Sequence, residues 1–248
     1  MLDSAEDFKD LDWYQNQITH IETQQSFEGE FTSPDSILTS HVADSFPYEE
    51  LYTHQAEALQ EIQSGKDVCI ETSTASGKTM IYALNFANEY YTADSENKPT
   101  GLLIYPTKAL AQDQYNELSE LYQETLGLDI SIGVYDGDTT KEEKQSIRED
   151  SDLILTNFQG LNYYLPYHSS WEEFFSSLSC VVIDEAHLYT GLMGIHVAMI
   201  IRRLRRIVEN VYTSHPQFIL TTATINNPYQ HTQKLIGRDS ISVVDSDT

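Results

Sequence analysis

The chain has 248 residues, of which 40% are hydrophobic and 11% aromatic, enough for one or two folded domains and too much for wholesale disorder. Lys and Arg number 14 against 39 Asp and Glu, a formal charge of −25. No apolar run approaches the ~18 residues of a membrane-spanning helix. The opening acids Asp3, Glu6, Asp7, Asp10 and Asp12 reverse the basic start of a secretion signal. A cytoplasmic protein with no membrane partner is expected. Such acidity argues against a polyanionic partner, because phosphates reward Lys and Arg. It also fits a halophilic protein, in which concentrated salt screens the repulsion between surface carboxylates.

In chain order, residues 1 to 45 read as an acidic leader, weakly periodic and partly ordered, with a short helix near Ile37–Val42. Residues 46 to 248 read as the folded domain. Short β-rich runs there alternate with helical patterns. Val68–Glu71, Leu102–Tyr105, Ile130–Val134, Leu153–Thr156, Val181–Asp184 and Phe218–Thr222 are apolar on both faces, the pattern of buried parallel strands, and Ile241–Val244 supplies a seventh. Gln55–Gln63, Lys78–Tyr90, Lys108–Glu124 and Leu192–Val211 are the clearest helices. Strands and helices alternating at this spacing predict an α/β fold with a mainly parallel sheet covered on both sides. Cys69 and Cys180 lie in apolar runs, so buried thiols are expected; two cysteines build neither a disulfide framework nor a zinc site.

The run Thr72-Ser73-Thr74-Ala75-Ser76-Gly77-Lys78-Thr79 follows one predicted strand and opens a predicted helix. A phosphate-binding loop needs that context, since backbone N–H groups and the helix N-terminus must point at the anion. Lys78 would reach the β- and γ-phosphates and Thr79 would offer a hydroxyl to Mg²⁺. Thr72 stands where the first glycine of the general pattern belongs. Taken alone, a Ser/Thr/Gly turn with one lysine is also an ordinary strand-to-helix connection. The run Val181-Val182-Ile183-Asp184-Glu185-Ala186-His187 places two carboxylates at the end of a buried strand, where open α/β sheets bind ligands. Asp184 there can hold Mg²⁺ while Glu185 polarises the attacking water. A pair of solvated acids is the plainer reading of that segment. Together the two runs point to ATP and Mg²⁺.

With those runs in place, the stretch from about Leu51 to Pro228 resembles the first RecA-like domain of superfamily 2 DEAD/DEAH-box helicases. LYTHQAEAL, TSTASGKT, YPTKALAQDQ, YDGDT, ILTN, VVIDEAHLYTG, GIHVAMIIRRLRR and PQFILTTATINNP occur in the family's order. They are most similar to the DNA-repair branch of the mitomycin repair factor type. The resemblance implies a P-loop NTPase of RecA-like three-layer architecture, with the Thr-Ala-Thr strand between the phosphate-loop and acidic strands. It implies that Gln55 reads adenine, with Tyr52 as a stacking partner or a core residue. Thr222, Ala223 and Thr224 would link the nucleotide site to nucleic-acid engagement, and His187 would join them by hydrogen bonding. Tyr105-Pro106-Thr107-Lys108, Gly137-Asp138 and Thr156-Asn157 resemble segments that grip a sugar-phosphate backbone. Thr107 could equally cap the helix that follows it. Phe158 stands where this branch commonly carries proline.

Arg202, Arg203, Arg205 and Arg206 lie off the apolar stripe of their helix. They either pair with surface carboxylates or contact DNA or a partner domain. The complete motor of this family has a second RecA-like domain that supplies arginine fingers, and no second β/α set follows Pro228. A fragment, a truncated reading frame or one piece of a split motor is therefore expected, with the second domain in cis or in trans. The expected partner is single-stranded nucleic acid, DNA rather than RNA, although backbone grip does not read the 2′-hydroxyl. Alternatives are an ATPase or translocase subunit of a nuclease or restriction system, and a binding module that does not hydrolyse ATP.

Overall fold

The structure, a computed structural model, describes residues 31–72, 76–95 and 97–245. Two short strands, β1 (Phe31–Thr32) and β2 (Leu51–Tyr52), flank helix α1 (Ser40–Ser45). Then follow α2 (Thr53–Gln63), β3 (Asp67–Glu71), α3 (Lys78–Thr92), β4 (Thr100–Ile104), α4 (Lys108–Ser119) and β5 (Ile132–Val134). The middle of the chain adds α5 (Lys141–Asp150), β6 (Leu153–Thr156), α6 (Phe158–Tyr164) and α7 (Glu172–Ser176). The last third comprises β7 (Leu178–Ile183), α8 (Gly191–Asn210), β8 (Gln217–Thr222), α9 (Pro228–Ile236) and β9 (Ile241–Asp245).

β3 to β9 form one seven-stranded sheet in the order β5-β6-β4-β7-β8-β3-β9, and every neighbouring pair is parallel. Alternate residues of a strand face opposite sides, and here both sides are apolar. Val68, Ile70, Leu103, Leu155, Val182 and Ile219 join a core with α2, α3 and α4. Cys69, Leu102, Ile104, Ile154, Val181, Ile183 and Leu220 join a second core with α6, α8 and α9. The result is the three-layer α/β sandwich that continuous apolar strands require. The two cysteines lie in different cores, with β8 between their strands. Burial pushes the Cys69 thiol up to about 11 and that of Cys180 higher still.

Residues 31 to 45, expected to belong to the leader, are instead built into the domain. Ile37, Leu38, Val42 and Ala43 are buried in the first core, with Phe46. The backbone N–H of Thr39 donates to Asn88 Oδ1 at 2.7 Å, and Gln63 Nε2 donates to the Ile37 carbonyl at 2.9 Å. The helix near Ile37–Val42 lies slightly later, at α1. The rest of the leader, residues 1 to 30, lies outside the described residues.

The long helix expected over Lys108–Glu124 is α-helical only to Ser119 and continues as a π-helical turn, Glu120–Thr125, that buries Leu121 and Tyr122. Asn227 caps α9 and Pro228 occupies its first turn, a start signal with a mechanism. Arginines close the other end of α9. Arg202 Nη2 donates to the Lys234 carbonyl at 3.2 Å, and Arg205 Nη1 to those of Ile236 and Gly237 at 3.0 and 2.8 Å.

Candidate functional site

The carboxyl ends of β3, β8 and β7 are neighbours, so whatever follows these strands converges on one edge of the sheet. After β3 the described residues are Thr72, Ser76 and Gly77, and α3 begins at Lys78. Gly77 is left-handed (φ 75°), and a Cβ built on it would lie 2.5 Å from Gln55 Nε2. The left-handed backbone favours glycine, and a Cβ would also push the Gln55 amide aside. Gln55 braces the loop from α2, donating from Nε2 to the Gly77 carbonyl at 3.2 Å while Oε1 accepts the Tyr52 N–H at 3.1 Å. His54 Nε2 lies 3.1 Å from the Ser76 carbonyl, so that nitrogen carries the proton. Burial lowers the His54 pKa, partly offset by this bond, and keeps the ring neutral. Lys78 Nζ donates to the Thr72 carbonyl at 2.9 Å, and the hydroxyls of Thr72 and Ser76 are 2.5 Å apart. Ser73, Thr74 and Ala75 lie outside the described residues.

After β7 the Asp184 N–H still bonds the Ile104 carbonyl of β4, at 2.9 Å. The Asp184 carboxylate accepts the hydroxyl proton of Thr221, whose oxygen in turn accepts the Glu185 N–H at 3.3 Å. Thr221 is wholly buried in β8, one residue before the segment singled out from the sequence. No local pattern marks it; only the placing of β8 beside β7 brings it to the acids. Burial raises the Asp184 pKa from its ordinary value. The Thr221 bond opposes that rise, and the neighbouring Glu185 charge adds to it. Glu185 is left-handed (φ 52°, ψ 46°), a conformation that costs a non-glycine residue about 1–2 kcal/mol. Lys78 and Thr79 from the loop and Asp184 and Glu185 from the acidic strand line one cleft of about 450 Å³.

A second pocket, about 460 Å³, adjoins it through Gly77 and Met80. Gln55, Tyr52, Phe31, Phe46 and Tyr48 line this pocket. The Phe31 and Tyr52 rings stand 5.1 Å apart at 32°, and their residues are paired in the β1–β2 ladder. Phe31, Phe46 and Tyr48 escaped the sequence reading. An aromatic cluster just upstream of LYTHQ, within an acidic stretch, was the available signal.

His187 Nδ1 lies 3.1 Å from a Glu185 oxygen and 3.4 Å from the Ala223 N–H. Thr222 is buried and donates to the Ala223 carbonyl at 2.9 Å, whereas Thr224 is exposed. The turn after them is fixed from the phosphate side, where Glu71 Oε1 accepts the Ile225 N–H at 2.7 Å.

The segments expected to grip a strand divide by exposure. Thr107 caps α4 through the Leu110 N–H at 3.2 Å. Exposed Lys108 pairs with Asp138 at 2.6 Å, and the Asp138 carboxylate beside it raises its pKa. Gly137 lies against that lysine, 3.4 Å from where a Cβ would stand. Thr156 is buried and donates to the Tyr135 carbonyl at 2.7 Å, and Asn157 caps α6 by accepting the Gly160 N–H at 2.9 Å. Phe158, in the first turn of α6, is buried edge-on to Tyr189 at 4.9 Å. Lys108, Gly137 and Asp138 therefore face solvent chemistry, while the Thr156 and Asn157 side chains hold the fold.

Of the four arginines on α8, Arg205 pairs with Glu209 at 2.9 Å, and Arg203 donates to Asn162 at 2.9 Å. Backbone carbonyls take Arg202, because the sequence between Glu185 and Asp239 holds one carboxylate, Glu209.

Known proteins are similar to this chain in sequence and in fold. The uncharacterised ATP-dependent helicase YprA of Bacillus subtilis (strain 168) is 44% identical over 191 residues, 77% of this chain and 25% of its own length. The ATP-dependent helicase HRQ1 of Saccharomyces cerevisiae is 36% identical over 245 residues, 98% of this chain and 22% of its own. The crystal structure of the DUF1998 helicase MrfA bound to DNA and AMPPNP matches with a TM-score of 0.83 and 38% identity, over 88% of this chain and 30% of that one. This chain thus spans about a quarter of the length of these curated relatives. The family model described as DEAD/DEAH box helicase matches residues 52–232, from the edge of the aromatic pocket through the phosphate loop and acidic pair into α9, and the chain belongs to that family.

Proposed function

We propose that this chain is the nucleotide-binding half of an ATP-driven motor that works on single-stranded nucleic acid, and on DNA in particular. One observation carries the reading: Lys78 and Thr79 share a single cleft with Asp184 and Glu185, and that cleft opens beside an aromatic pocket braced by Gln55. Triphosphate fits the first and a planar base the second. DNA is favoured because MrfA, described in complex with DNA, is similar over most of this chain.

Thr79 and Asp184 offer the oxygen donors that a hard divalent cation prefers. Asp184 fits that role, because burial strains its ionised form and a cation beside it offsets the strain. Mg²⁺ bound there would neutralise charge on the triphosphate. Lys78 leaves the Thr72 carbonyl to meet the phosphates, an exchange of a neutral acceptor for charged ones. Glu185 takes up the proton of the attacking water. An arginine finger for the transition state, worth ~10³–10⁵ in rate in related hydrolases, comes from a second RecA-like domain, in cis or in trans. By itself this chain binds Mg-ATP, holds a single strand weakly, hydrolyses slowly and unwinds no duplex.

Calorimetry with Mg-ATP tests the assignment. Lys78→Ala loses about 10- to 100-fold in affinity, the range of a charge-assisted hydrogen bond. Glu185→Gln keeps the affinity and, with a second domain supplied, loses about 10²–10⁴ in turnover. Undiminished ATP binding by Lys78→Ala would falsify the phosphate-loop assignment.

A further inference from the structure

A line of hydrogen bonds runs from Thr79, beside the phosphate loop, to the hydroxyl of Tyr105, which precedes a segment expected to grip a strand, and its links through Tyr82 are buried. Thr79 Oγ1 donates to Gln114 Oε1 at 3.1 Å. The Tyr82 hydroxyl donates to the same oxygen at 3.2 Å and lies 3.1 Å from the Tyr105 hydroxyl. Each phenol has one proton. That of Tyr82 is committed to Gln114, so Tyr105 must donate to Tyr82. Gln114 Nε2 donates to Glu117 at 2.6 Å, which fixes the orientation of the amide. Its oxygen therefore uses both lone pairs, one for each end of the line. Burial holds the Tyr82 and Tyr105 phenols far above their usual pKa, so these protons stay in place.

The far end is a junction. The Tyr105 N–H donates to the Thr156 carbonyl at 2.9 Å, one residue before Asn157, and Pro106, Thr107 and Lys108 follow Tyr105 directly. Two of the three segments expected to meet a nucleic-acid backbone thus adjoin Tyr105, whose hydroxyl ends the line.

We propose that Gln114 and Tyr82 are positioning residues that relay nucleotide occupancy to the strand-gripping turns, an inference that rests on the ATP-motor reading above. Thr79 can offer its oxygen to a cation and still donate its proton to Gln114. A cation at that oxygen makes the hydroxyl a stronger donor. Thr79 and Tyr82 share one acceptor, so a stronger bond from Thr79 weakens the one from Tyr82 and, through it, the one that Tyr105 donates. Nucleotide occupancy thus reaches Tyr105 as a change in how firmly its hydroxyl is held. Gln114 comes from α4 and Tyr82 from α3, so the line also crosses between the helices on which the phosphate loop and the first gripping turn open.

The test is the linkage between two binding equilibria on the 248-residue chain. Affinity for fluorescein-labelled oligo(dT) is read by anisotropy with and without Mg-AMP-PNP, and nucleotide affinity by calorimetry with and without the oligonucleotide. The two ratios must agree, because linkage is reciprocal. Tyr82→Phe keeps the ring and removes the one hydroxyl that joins the halves. It should leave each ligand's affinity alone within about twofold and move the ratio towards one by roughly 2- to 10-fold, the range of one net hydrogen bond. Adding Tyr105→Phe should cause no further loss of linkage, because both changes break one line. Gln114→Leu should move the ratio similarly and lower the thermal midpoint of the ligand-free chain. An unchanged ratio in Tyr82→Phe, or losses that multiply in the double variant, overturns the relay. Binding without linkage in the unaltered chain overturns the relay alone. Failure of the unaltered chain to bind either ligand overturns the motor reading, and the relay with it.

Discussion

Nδ1 of His187 lies 3.1 Å from a carboxylate oxygen of Glu185, and the same nitrogen lies 3.4 Å from the Ala223 N–H. One nitrogen cannot donate to the first and accept from the second. With a hydrogen on Nδ1 the ring donates to Glu185 and releases Ala223; a bare Nδ1 does the reverse. His187→Ala removes both options, and its effect belongs in turnover rather than binding. With a second RecA-like domain supplied, kcat should fall about 10-fold while KM stays within about threefold, as for a lost hydrogen bond to a charged group. A rise in KM with kcat intact, measured by phosphate release, would place His187 in nucleotide binding instead.

Asp184 carries a stability cost with a defined pH window. Its pKa in the folded chain is raised above 3.8, mainly by burial, so the native state holds a proton more tightly than the unfolded chain. The ionised group therefore destabilises the fold fully above its folded pKa. That cost is relieved as pH falls through the folded pKa towards 3.8. Asp184→Asn should accordingly raise the thermal midpoint near neutral pH and lose this advantage in acid, while Mg-ATP affinity drops. A midpoint difference that grows on acidification would contradict the sign.

Phe31 and Tyr52 line a pocket apart from the phosphate cleft, so the proposed base site can be tested separately. Phe31→Ala should weaken ATP about 5- to 10-fold, the low end of the ~1–3 kcal/mol measured for base–aromatic stacking. Tripolyphosphate, which has no base, should bind as before. Equal losses for both ligands in a competition assay would mean that Phe31 serves the fold and not the base.

The charge of −25 predicts a salt requirement. Screening length falls from about 10 Å at 0.1 M salt to about 3 Å at 1 M, so like-charge repulsion between surface carboxylates fades over that range. The thermal midpoint should climb by several degrees between about 0.1 and 3 M KCl if the chain is halophilic. A flat series would dismiss salt adaptation as the reason for the acidity.

Strand positions were legible because Val68–Glu71, Leu153–Thr156 and Val181–Ile183 are apolar on both faces and too short for helices. The phosphate loop and acidic pair were legible because their chemistry is written in consecutive residues. The aromatic pocket was not, since Phe31 meets Tyr52 only through pairing across about twenty residues, and nothing local at Phe31 announces it. Thr221 and Gln114 were missed for a related reason. One depends on strand order and the other on how α4 faces α3, and neither relation has a period in the sequence. The α6 helix was hidden by its brevity: its seven residues are too few to show a period, and Asn157 reads as well as a loop residue as it does as a cap. The arginines of α8 were expected either to pair with carboxylates or to contact DNA or a partner domain; Arg205 finds Glu209, whereas Arg202 meets backbone carbonyls in a stretch almost free of acids.

The two halves of the nucleotide site rest on supports of unequal strength. Lys78, Asp184 and Glu185 hang from the central strands of a seven-stranded sheet, whereas Phe31 is held by a two-residue antiparallel ladder to β2. A two-stranded pair is marginal on its own, and such margins fray before a core opens. On warming, Phe31 would let go of a bound base while the sheet still held the triphosphate, so the stacking contact would have a lower melting point than the grip on the phosphates.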